Sequence, residues 1–198
     1  YGTLTPPEEQ LACICSEEHR QAAIRAADKA ITLVKDTRRQ LPIRPETHKK
    51  ILLHVLGGAA SGKSGYAESL VLKSTLPRYY LATMMVWDDE CAARVEKHRK
   101  MRAEKRFETV ECPLHLGQVA LPQRGVALLE DLGNLTANEL YDPNGAGTHT
   151  VQAILAGVEH LLTQCEEVIL VSNEVFSGGA DYAGDTDRYL NALAQVNN

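Results

Sequence analysis

Two kinds of hydrophobic pattern alternate along the chain from residue 51 onward. Short, mostly apolar runs indicate strands buried on both faces, because an exposed face would require alternating polar residues. The stretches between these runs are polar enough on one side to be amphipathic helices. The predicted strands cover 51–56, 78–83, 107–112, 125–131 and 167–174, and the predicted helices cover 64–74, 88–106, 135–142, 151–165 and 185–197.

The alternation of buried strands with helices predicts an α/β fold, a mostly parallel sheet covered by helices on both faces. In such sheets, ligands bind beyond the carboxyl ends of the strands. The segments at the ends of the predicted strands are the loop at 57–64, Thr83, Glu130–Asp131 and Asn173–Glu174. We therefore expect the functional residues to lie among these segments.

Residues 1–50 differ in character and are predicted to form a helical extension that ends in a proline-bearing linker. The central part is amphipathic, with charged residues opposite an apolar side formed by Ala23, Ala27, Ala30, Ile31 and Val34. No chemistry is visible in this segment, so packing or contact between subunits is its expected role. The chain is accordingly divided into this extension and an α/β domain at 51–198.

Composition narrows the possible functions. The chain has 198 residues and is 44% hydrophobic, which is enough for one domain with a core. No apolar run approaches the roughly 20 residues that span a bilayer, and no signal peptide is visible, so we expect a cytoplasmic protein. A net charge of -5 and 5% aromatic residues argue against nucleic-acid binding. The odd number of cysteines, without a C-x-x-C pair, favours a reducing compartment: Cys13, Cys15, Cys91, Cys112 and Cys165.

The stretch GGAASGKS matches the phosphate-loop pattern G-x-x-x-x-G-K-[ST] and lies between a predicted strand and a predicted helix. Its glycines let backbone amides turn toward phosphate oxygens, and the helix that follows adds its positive N-terminal end. The lysine would reach the β- and γ-phosphates, and the serine hydroxyl would bind Mg²⁺. The predicted nucleotide-binding residues are Gly57, Gly58, Ala59, Ala60, Ser61, Gly62, Lys63 and Ser64.

A nucleotide loop also needs an acidic partner for the metal, at the end of another buried strand. Two acids, Glu130 and Asp131, end the predicted strand GVALLED. Asp131 also stands where it could cap the helix that follows. We therefore favour Glu130 as the acid that binds Mg²⁺ through water or positions the nucleotide, and the predicted metal ligands are Ser64 and Glu130.

The segment DDECAARVEKHRKMR is densely charged. Arg94, His98 and Arg102 are spaced four residues apart, so on a helix they share one face. Positive neighbours disfavour protonation of the histidine, and the neutral imidazole is its nucleophilic form. The arrangement suits transfer of a phosphorus group through a covalent histidine intermediate. From the spacing alone, a solvated charged helix that happens to carry a histidine is the commoner explanation.

Seven segments of the chain, taken in order, point to one family: GGAASGKSGYAE, YLAT, DDECAARVEKHRKMR, TVEC, LLEDLGNLTANEL, VILVSNEV and RYLNALAQVN. Together they resemble the bifunctional adenosylcobinamide kinases / adenosylcobinamide-phosphate guanylyltransferases of cobalamin biosynthesis. The phosphate loop is generic, whereas the segment that contains His98 is far more specific. The resemblance runs from residue 52 to 197 and implies a phosphate-loop NTPase-type domain.

This resemblance implies two activities in one site. A nucleoside triphosphate first phosphorylates the aminopropanol hydroxyl of adenosylcobinamide. GTP then guanylylates a histidine with release of pyrophosphate, and the GMP passes to the cobinamide phosphate to give adenosylcobinamide-GDP. Mg²⁺ with GTP or ATP is the implied cofactor, the corrinoid is the implied substrate, and the trimers of the family imply a homo-oligomer.

The resemblance also implies roles for individual residues. His98 corresponds to the guanylylated histidine, so the predicted catalytic residues are His98 and the phosphate-loop Lys63. Glu130 corresponds to a nucleotide-binding glutamate. The other implied nucleotide contacts are Ala82, Thr83, Met84, Arg99, Lys100, Met101, Arg102 and Glu111.

The chain departs from the family pattern at several positions. Ala60 stands where the family usually has arginine, Gly65 where a basic residue is common, and the loop at 176–184 where the family has G-x-G-I-V-P. The family pattern also continues into one more strand beyond Asn198. Two alternatives therefore stay open: a phosphate-loop kinase or NTPase with another small substrate, and a degenerate nucleotide-binding protein without catalysis.

Overall fold

The computed structural model of the protein describes residues 17, 18, 21, 22, 25, 50–59, 61–85, 105–175 and 184–198. The chain separates into two compact units, residues 1–47 and 48–198. The described residues of the first unit are helical and exposed, and the Gln21 amide donates to Glu17 Oε1 over 2.7 Å. The rest of the predicted extension lies outside the described residues.

The predicted charged helix at 88–106 lies outside the described residues except at its end. Lys105 and Arg106 form a turn there, so the predicted end of the helix is wrong. Arg106 has a φ of 59°, and a left-handed residue cannot continue a right-handed helix.

Five strands form the sheet: β1 Ile51–Gly57, β2 Arg78–Ala82, β3 Phe107–Glu111, β4 Gly125–Glu130 and β5 Cys165–Asn173. Their order across the sheet is β1-β5-β4-β2-β3, and every pairing is parallel. The predicted α/β class is therefore confirmed. The strand bounds differ from the prediction by one or two residues. The largest difference is at Cys165, which begins β5, whereas the predicted helix at 151–165 includes it.

The described residues contain four α-helices: α1 Lys63–Val71, α2 Leu132–Tyr141, α3 Thr150–Gln164 and α4 Asp185–Asn197. Helix α2 begins at Leu132 rather than at the predicted Leu135. It does so because Asp131 Oδ1 accepts a hydrogen bond from Asn134 N at 2.6 Å, which caps the helix and ends β4 at Glu130. Within the described residues, no helix has the length and apolar character needed to cross a membrane.

Each face of the sheet is covered by helices. Side chains alternate along a strand, so Tyr79 and Leu81 of β2 pack on one face while Tyr80 and Ala82 pack on the other. Helices α2, α3 and α4 cover the first face, with a core that includes Leu132, Leu135, Ile154, Leu161 and Leu193. Helix α1 covers the second face, with a core that includes Ala67, Val71, Leu128, Ile169 and Val171.

The carboxyl ends of the five strands lie at one edge of the sheet, which we call the carboxyl edge. Gly57 at the end of β1 is in register with Asn173 at the end of β5. Ala82 at the end of β2 is in register with Glu130 of β4 on one side and with Glu111 of β3 on the other. This edge therefore brings the phosphate loop together with the polar strand ends that the sequence singled out.

Candidate nucleotide-binding site

The predicted phosphate loop connects β1 to α1 at the carboxyl edge. The Gly58 carbonyl accepts hydrogen bonds from Ser61 N at 3.3 Å and from Lys63 Nζ at 3.4 Å, so the loop closes on itself. Gly62 has a φ of 85°, a left-handed conformation that glycine adopts without steric cost. Ala60 lies outside the described residues. Of the other predicted loop residues, Gly57 ends β1, Gly58, Ala59, Ser61 and Gly62 lie in the turn, and Lys63 and Ser64 begin α1.

Gly57 allows the loop to pack closely against its own side chains. A Cβ atom at this position would lie 2.6 Å from Ser61 Oγ, so the serine would have to move. The Gly57 carbonyl accepts a hydrogen bond from Glu174 N at 3.0 Å, which joins the loop to the residue after β5. The start of the loop is therefore held by the central part of the sheet.

The N-terminus of α1 is open to a ligand. Within the described part of the chain, no side chain caps this terminus, and its first turn carries no acidic residue. Lys63 and Ser64 occupy its first two positions. The first amides of a helix lack intrahelical acceptors, and the helix dipole is positive at this end. A phosphate group satisfies both conditions.

Glu130 lies at the end of β4, on the face of the sheet that α1 covers. Leu128, two residues earlier on the strand, packs in the core beneath α1, so the two side chains share this face. One strand, β5, separates β4 from β1. Glu130 is level with Val55, two residues before Gly57. Two strand spacings and this offset of two residues place the backbones of Glu130 and Gly57 about 12 Å apart. A carboxylate at that distance can reach a metal at the loop through water.

The Asp131 carboxylate, by contrast, is engaged in hydrogen bonds that stabilise the fold. Besides capping α2, it accepts a hydrogen bond at Oδ2 from Asn173 Nδ2 at 3.4 Å. Its backbone N donates to Thr83 Oγ1 at 2.8 Å. Burial, followed by the charge of Asp131, raises the pKa of Tyr189. These contacts favour Glu130 over Asp131 as the acid that faces the nucleotide.

The residues at the end of β2 reach the carboxyl edge, as the comparison of strand registers shows for Ala82. Thr83 and Met84 follow directly. Thr83 is fully buried, and its Oγ1 lies 2.9 Å from Glu130 O and 3.0 Å from Asp131 O. The hydroxyl of Thr83 therefore ties β2 to the end of β4.

Glu111 is placed far from the phosphate loop. It ends β3, at the opposite border of the sheet from β1, and it is exposed. Four strand spacings amount to about 19 Å, so Glu111 cannot share a metal with the loop. Any contact with the nucleotide would involve a part remote from the terminal phosphates. The predicted residues His98, Arg99, Lys100, Met101 and Arg102 lie outside the described residues.

Sequence reasoning missed three polar side chains that organise this edge: Tyr80, Asn138 and Glu139. Tyr80 Oη donates a hydrogen bond to Glu130 Oε2 at 3.0 Å. Strand alternation could have placed these two on the same face, but a tyrosine in a buried strand looks like ordinary core. Asn138 Nδ2 donates to Thr83 O at 2.8 Å and to a second carbonyl, that of Pro113, at 3.0 Å. Asn138 thus holds two loops of the edge in place.

Glu139 is a buried carboxylate on α2. It accepts hydrogen bonds from His115 N at 2.6 Å and from Ala146 N at 2.9 Å, so it joins two loops to the helix. Nothing in the local pattern signals this role, because a glutamate on a helix is usually exposed.

The oxygen groups at the carboxyl edge fit a magnesium ion that arrives with a nucleotide. Ser64 offers a hydroxyl at the N-terminus of α1, and Glu130 offers a half-buried carboxylate. Within the described residues, no three side chains of His, Cys, Asp or Glu cluster as a metal site. Mg²⁺ at nucleotide sites uses one or two protein oxygens together with phosphates and water. The donor set is therefore of the right kind.

The two described cysteines are unsuited to nucleophilic catalysis at neutral pH. Cys112 and Cys165 are free and buried. Burial raises the pKa of each thiol to about 11, which leaves almost no thiolate at pH 7.

Comparison with known proteins gives a consistent result. A family model described as cobinamide kinase / cobinamide phosphate guanyltransferase matches residues 53–198. The bifunctional adenosylcobalamin biosynthesis protein CobU of Escherichia coli (strain K12) is 37% identical over 142 residues, covering 65% of this chain and 77% of that protein. CobU of Salmonella typhimurium (strain LT2) is 32% identical over 143 residues, with the same coverage of 65% and 77%. The bifunctional protein CobP of Pseudomonas aeruginosa is 33% identical over 146 residues, covering 69% of this chain and 79% of that protein.

Proposed function

The chain belongs to the cobinamide kinase / cobinamide phosphate guanyltransferase family, and we propose that it catalyses both reactions in adenosylcobalamin biosynthesis. The first reaction transfers a phosphoryl group from ATP or GTP to adenosylcobinamide. The second transfers GMP from GTP to the resulting phosphate. One observation carries the proposal: the uncapped start of α1 and the Glu130 carboxylate lie at the same edge and on the same face of the sheet.

The residues of the loop supply the contacts that a triphosphate needs. The amides at the start of α1 would donate to phosphate oxygens, and Lys63 would leave the Gly58 carbonyl for the β- and γ-phosphates. Ser64 would bind Mg²⁺ directly and Glu130 through water. When bound, the ion neutralises charge on the phosphates. Positioning and charge neutralisation account for most of the catalysis of phosphoryl transfer.

We assign the covalent step of the second reaction to His98, on the basis of its sequence context. A neutral imidazole nitrogen attacks the α-phosphorus of GTP, a P–N bond forms, the bond to the bridging oxygen breaks, and pyrophosphate leaves. An oxygen of the cobinamide phosphate then attacks the same phosphorus, the P–N bond breaks, and the histidine is regenerated. Arg94 and Arg102, four residues to either side, would stabilise the charge on the transferred group.

The test is incubation of the purified protein with α-labelled GTP and Mg²⁺, followed by intact mass measurement and treatment with acid and base. A phosphoramidate on histidine is lost in acid and is stable in base. We expect His98→Ala to abolish the GMP adduct and to leave GTP binding largely intact. The exposed His149 provides the matched control, since His149→Ala should label like the wild type. An undiminished adduct in His98→Ala would remove His98 from the mechanism.

The kinase reaction needs its own assay. Adenosylcobinamide incubated with γ-labelled ATP or GTP should gain the label, and the better donor would identify the nucleotide of the first step. A GMP adduct without label transfer would show that the chain retains only the guanylyltransferase activity.

The proposal also includes a cytoplasmic homo-oligomer, since family members associate as trimers, and a role for residues 1–50 in contact between subunits. Light scattering on the full chain and on a chain lacking residues 1–47 tests both points. A full chain that stays monomeric at enzyme-assay concentrations would exclude the oligomer.

A further inference from the structure

Two consecutive tyrosines of β2 direct their hydroxyl groups to opposite ends of the sheet. Tyr79 Oη donates to the carbonyl of Gln123, just before the start of β4, at 3.1 Å. Tyr80 Oη donates to Oε2 of Glu130, at the end of β4, at 3.0 Å. The two rings also lie on opposite faces, since they belong to different core clusters. Only the hydroxyl of Tyr80 therefore reaches the candidate nucleotide site.

The ring of Tyr80 is held firmly. It is only 6% exposed, and it meets the ring of Phe107 edge to face, with centroids 5.9 Å apart and planes at 83°. The phenol has two side-chain torsions, and the neighbouring strand fixes both by packing. Its hydroxyl is accordingly a fixed donor at the carboxyl edge, whereas the Glu130 carboxylate ends a more flexible side chain with one more torsion.

We propose that Tyr80 is a positioning residue that orients the Glu130 carboxylate for the hydration shell of the nucleotide-bound metal. The inference rests on the metal role of Glu130 in the proposed function. A carboxylate that accepts one hydrogen bond at Oε2 keeps acceptor capacity at Oε1. The hydrogen bond from Tyr80 selects the rotamer in which Glu130 stays on the α1 side of the sheet. Groups that hydrogen-bond to a direct metal ligand typically change metal affinity by roughly 10–100-fold, and because Glu130 acts through water, we expect Tyr80 to act at the low end of this range.

A purely structural role makes a different prediction. If the hydroxyl of Tyr80 served only to satisfy a half-buried carboxylate, its loss would lower the melting temperature and leave the metal dependence of nucleotide binding unchanged. The coupling between metal and nucleotide is therefore the quantity that separates the two roles.

The experiment uses the full chain and α,β-methylene GTP, whose methylene bridge prevents release of pyrophosphate and hence histidine guanylylation. Its affinity for the protein is measured with Mg²⁺ and with EDTA. The ratio of the affinity in Mg²⁺ to the affinity in EDTA reports the coupling between metal and nucleotide. We expect Tyr80→Phe to leave the affinity in EDTA within about twofold of the wild type and to lower the ratio roughly tenfold. Tyr79→Phe is the matched control, because it removes a neighbouring hydroxyl bond at the other end of the sheet. It should keep the wild-type ratio.

Two further variants connect the effect to the carboxylate. Glu130→Gln should itself lower the ratio, and adding Tyr80→Phe to Glu130→Gln should lower it little further, since the two act as one unit. An unchanged ratio in Tyr80→Phe, an equal fall in Tyr79→Phe, or full additivity with Glu130→Gln would each overturn the proposal.

The readout also separates this inference from the proposed function. Absence of a GMP adduct and of kinase activity in the wild type would refute the proposed reactions, while a lowered ratio in Tyr80→Phe would still support the positioning role. A wild-type ratio in Glu130→Gln would refute the metal role of Glu130 and the positioning role together.

Discussion

Among the residues that the structure describes, helices α1 and α2 both begin at the carboxyl edge of the sheet, and they differ in how their N-termini are capped. Helix α2 begins behind Asp131, whose carboxylate accepts the Asn134 amide at 2.6 Å. Helix α1 begins behind Gly62, and within the described residues no side chain caps it. The two termini at this edge therefore have different roles. The N-terminus of α2, which carries the Asp131 carboxylate, is structural, and the N-terminus of α1, which has no such charge, is available to an anionic ligand.

The largest effect should come from giving α1 a carboxylate of its own. Aspartate tolerates left-handed backbone better than most residues, so Gly62→Asp should still fold. At about 5 Å from a bound phosphate, the new charge costs about 3 kcal/mol at an effective dielectric constant near 20, or roughly 100-fold in GTP affinity. Calorimetric titration with α,β-methylene GTP measures the loss.

The matched control for this variant is Gly62→Asn, which has nearly the same shape without the charge. It should bind the nucleotide at least about tenfold more tightly than Gly62→Asp, since it lacks the repulsion. Equal losses in the two variants would assign the effect to backbone strain at Gly62 and not to charge.

The second prediction concerns the positive charge of Lys63 at the N-terminus of α1. Lys63→Ala should weaken triphosphate binding by about 2 kcal/mol, or roughly 30-fold, because a charge-assisted hydrogen bond to the phosphates is lost. Lys73→Ala is the control, since Lys73 is exposed just beyond the other end of α1. Equal GTP affinity in Lys63→Ala and in the wild type would mean that the loop is not a working phosphate site.

The third prediction concerns the N-terminus of α2, which Asp131 caps. Asp131→Ala should lower the free energy of unfolding by about 1 kcal/mol, the usual value of a helix cap, and should leave nucleotide affinity nearly unchanged. Urea denaturation and GTP titration measure the two quantities. Asp131→Asn should restore most of the stability, because asparagine is an equally good cap. A stable Asp131→Ala protein that no longer bound GTP would reverse the roles of Asp131 and Glu130.

The fold was largely predictable because its signals are local. Uninterrupted apolar runs such as GVALL mark buried parallel strands, and the glycine-rich turn before a helix marks the loop. The exact start of α2 was not predictable. Glu130 and Asp131 are adjacent, so the sequence does not tell which acid ends the strand and which caps the helix. The answer depends on the residue at which the chain leaves the sheet. In the structure, the hydrogen bond from Asp131 N to Thr83 Oγ1 fixes that residue.

The site was only partly predictable because some of its contacts join residues far apart in sequence. Tyr80 and Glu130 are separated by 50 positions, and their hydrogen bond requires that β2 and β4 be neighbours. Glu139 reaches amides on two different loops. A helical pattern gives no sign of such a contact, so a buried acid with backbone donors is visible only in the folded structure.

The smallest expected effect is on the free energy of unfolding at alkaline pH, through Tyr189 beside the capped N-terminus of α2. Burial, followed by the charge of Asp131, raises the pKa of Tyr189 above the ordinary tyrosine value of about 10. The folded state therefore holds this proton more tightly than the unfolded state. The stabilisation is complete below pH 10 and is lost as the pH rises through the folded pKa. Tyr189→Phe removes this titration, so its free energy of unfolding should fall less steeply than that of the wild type above pH 10.

Urea denaturation at pH 8, 9.5 and 10.5 provides the measurement for Tyr189→Phe. At pH 8 the phenol is neutral in both states, so any difference between the two proteins is a constant offset that can be subtracted. The other groups with raised pKa values, including Cys112 and Cys165, titrate in both proteins and cancel. If the free energies of unfolding of the wild type and Tyr189→Phe changed with pH in parallel, solvent would reach the Tyr189 hydroxyl beside Asp131. The terminus of α2 would then be less closed than its hydrogen bonds indicate, and the contrast with α1 would rest on the cap alone.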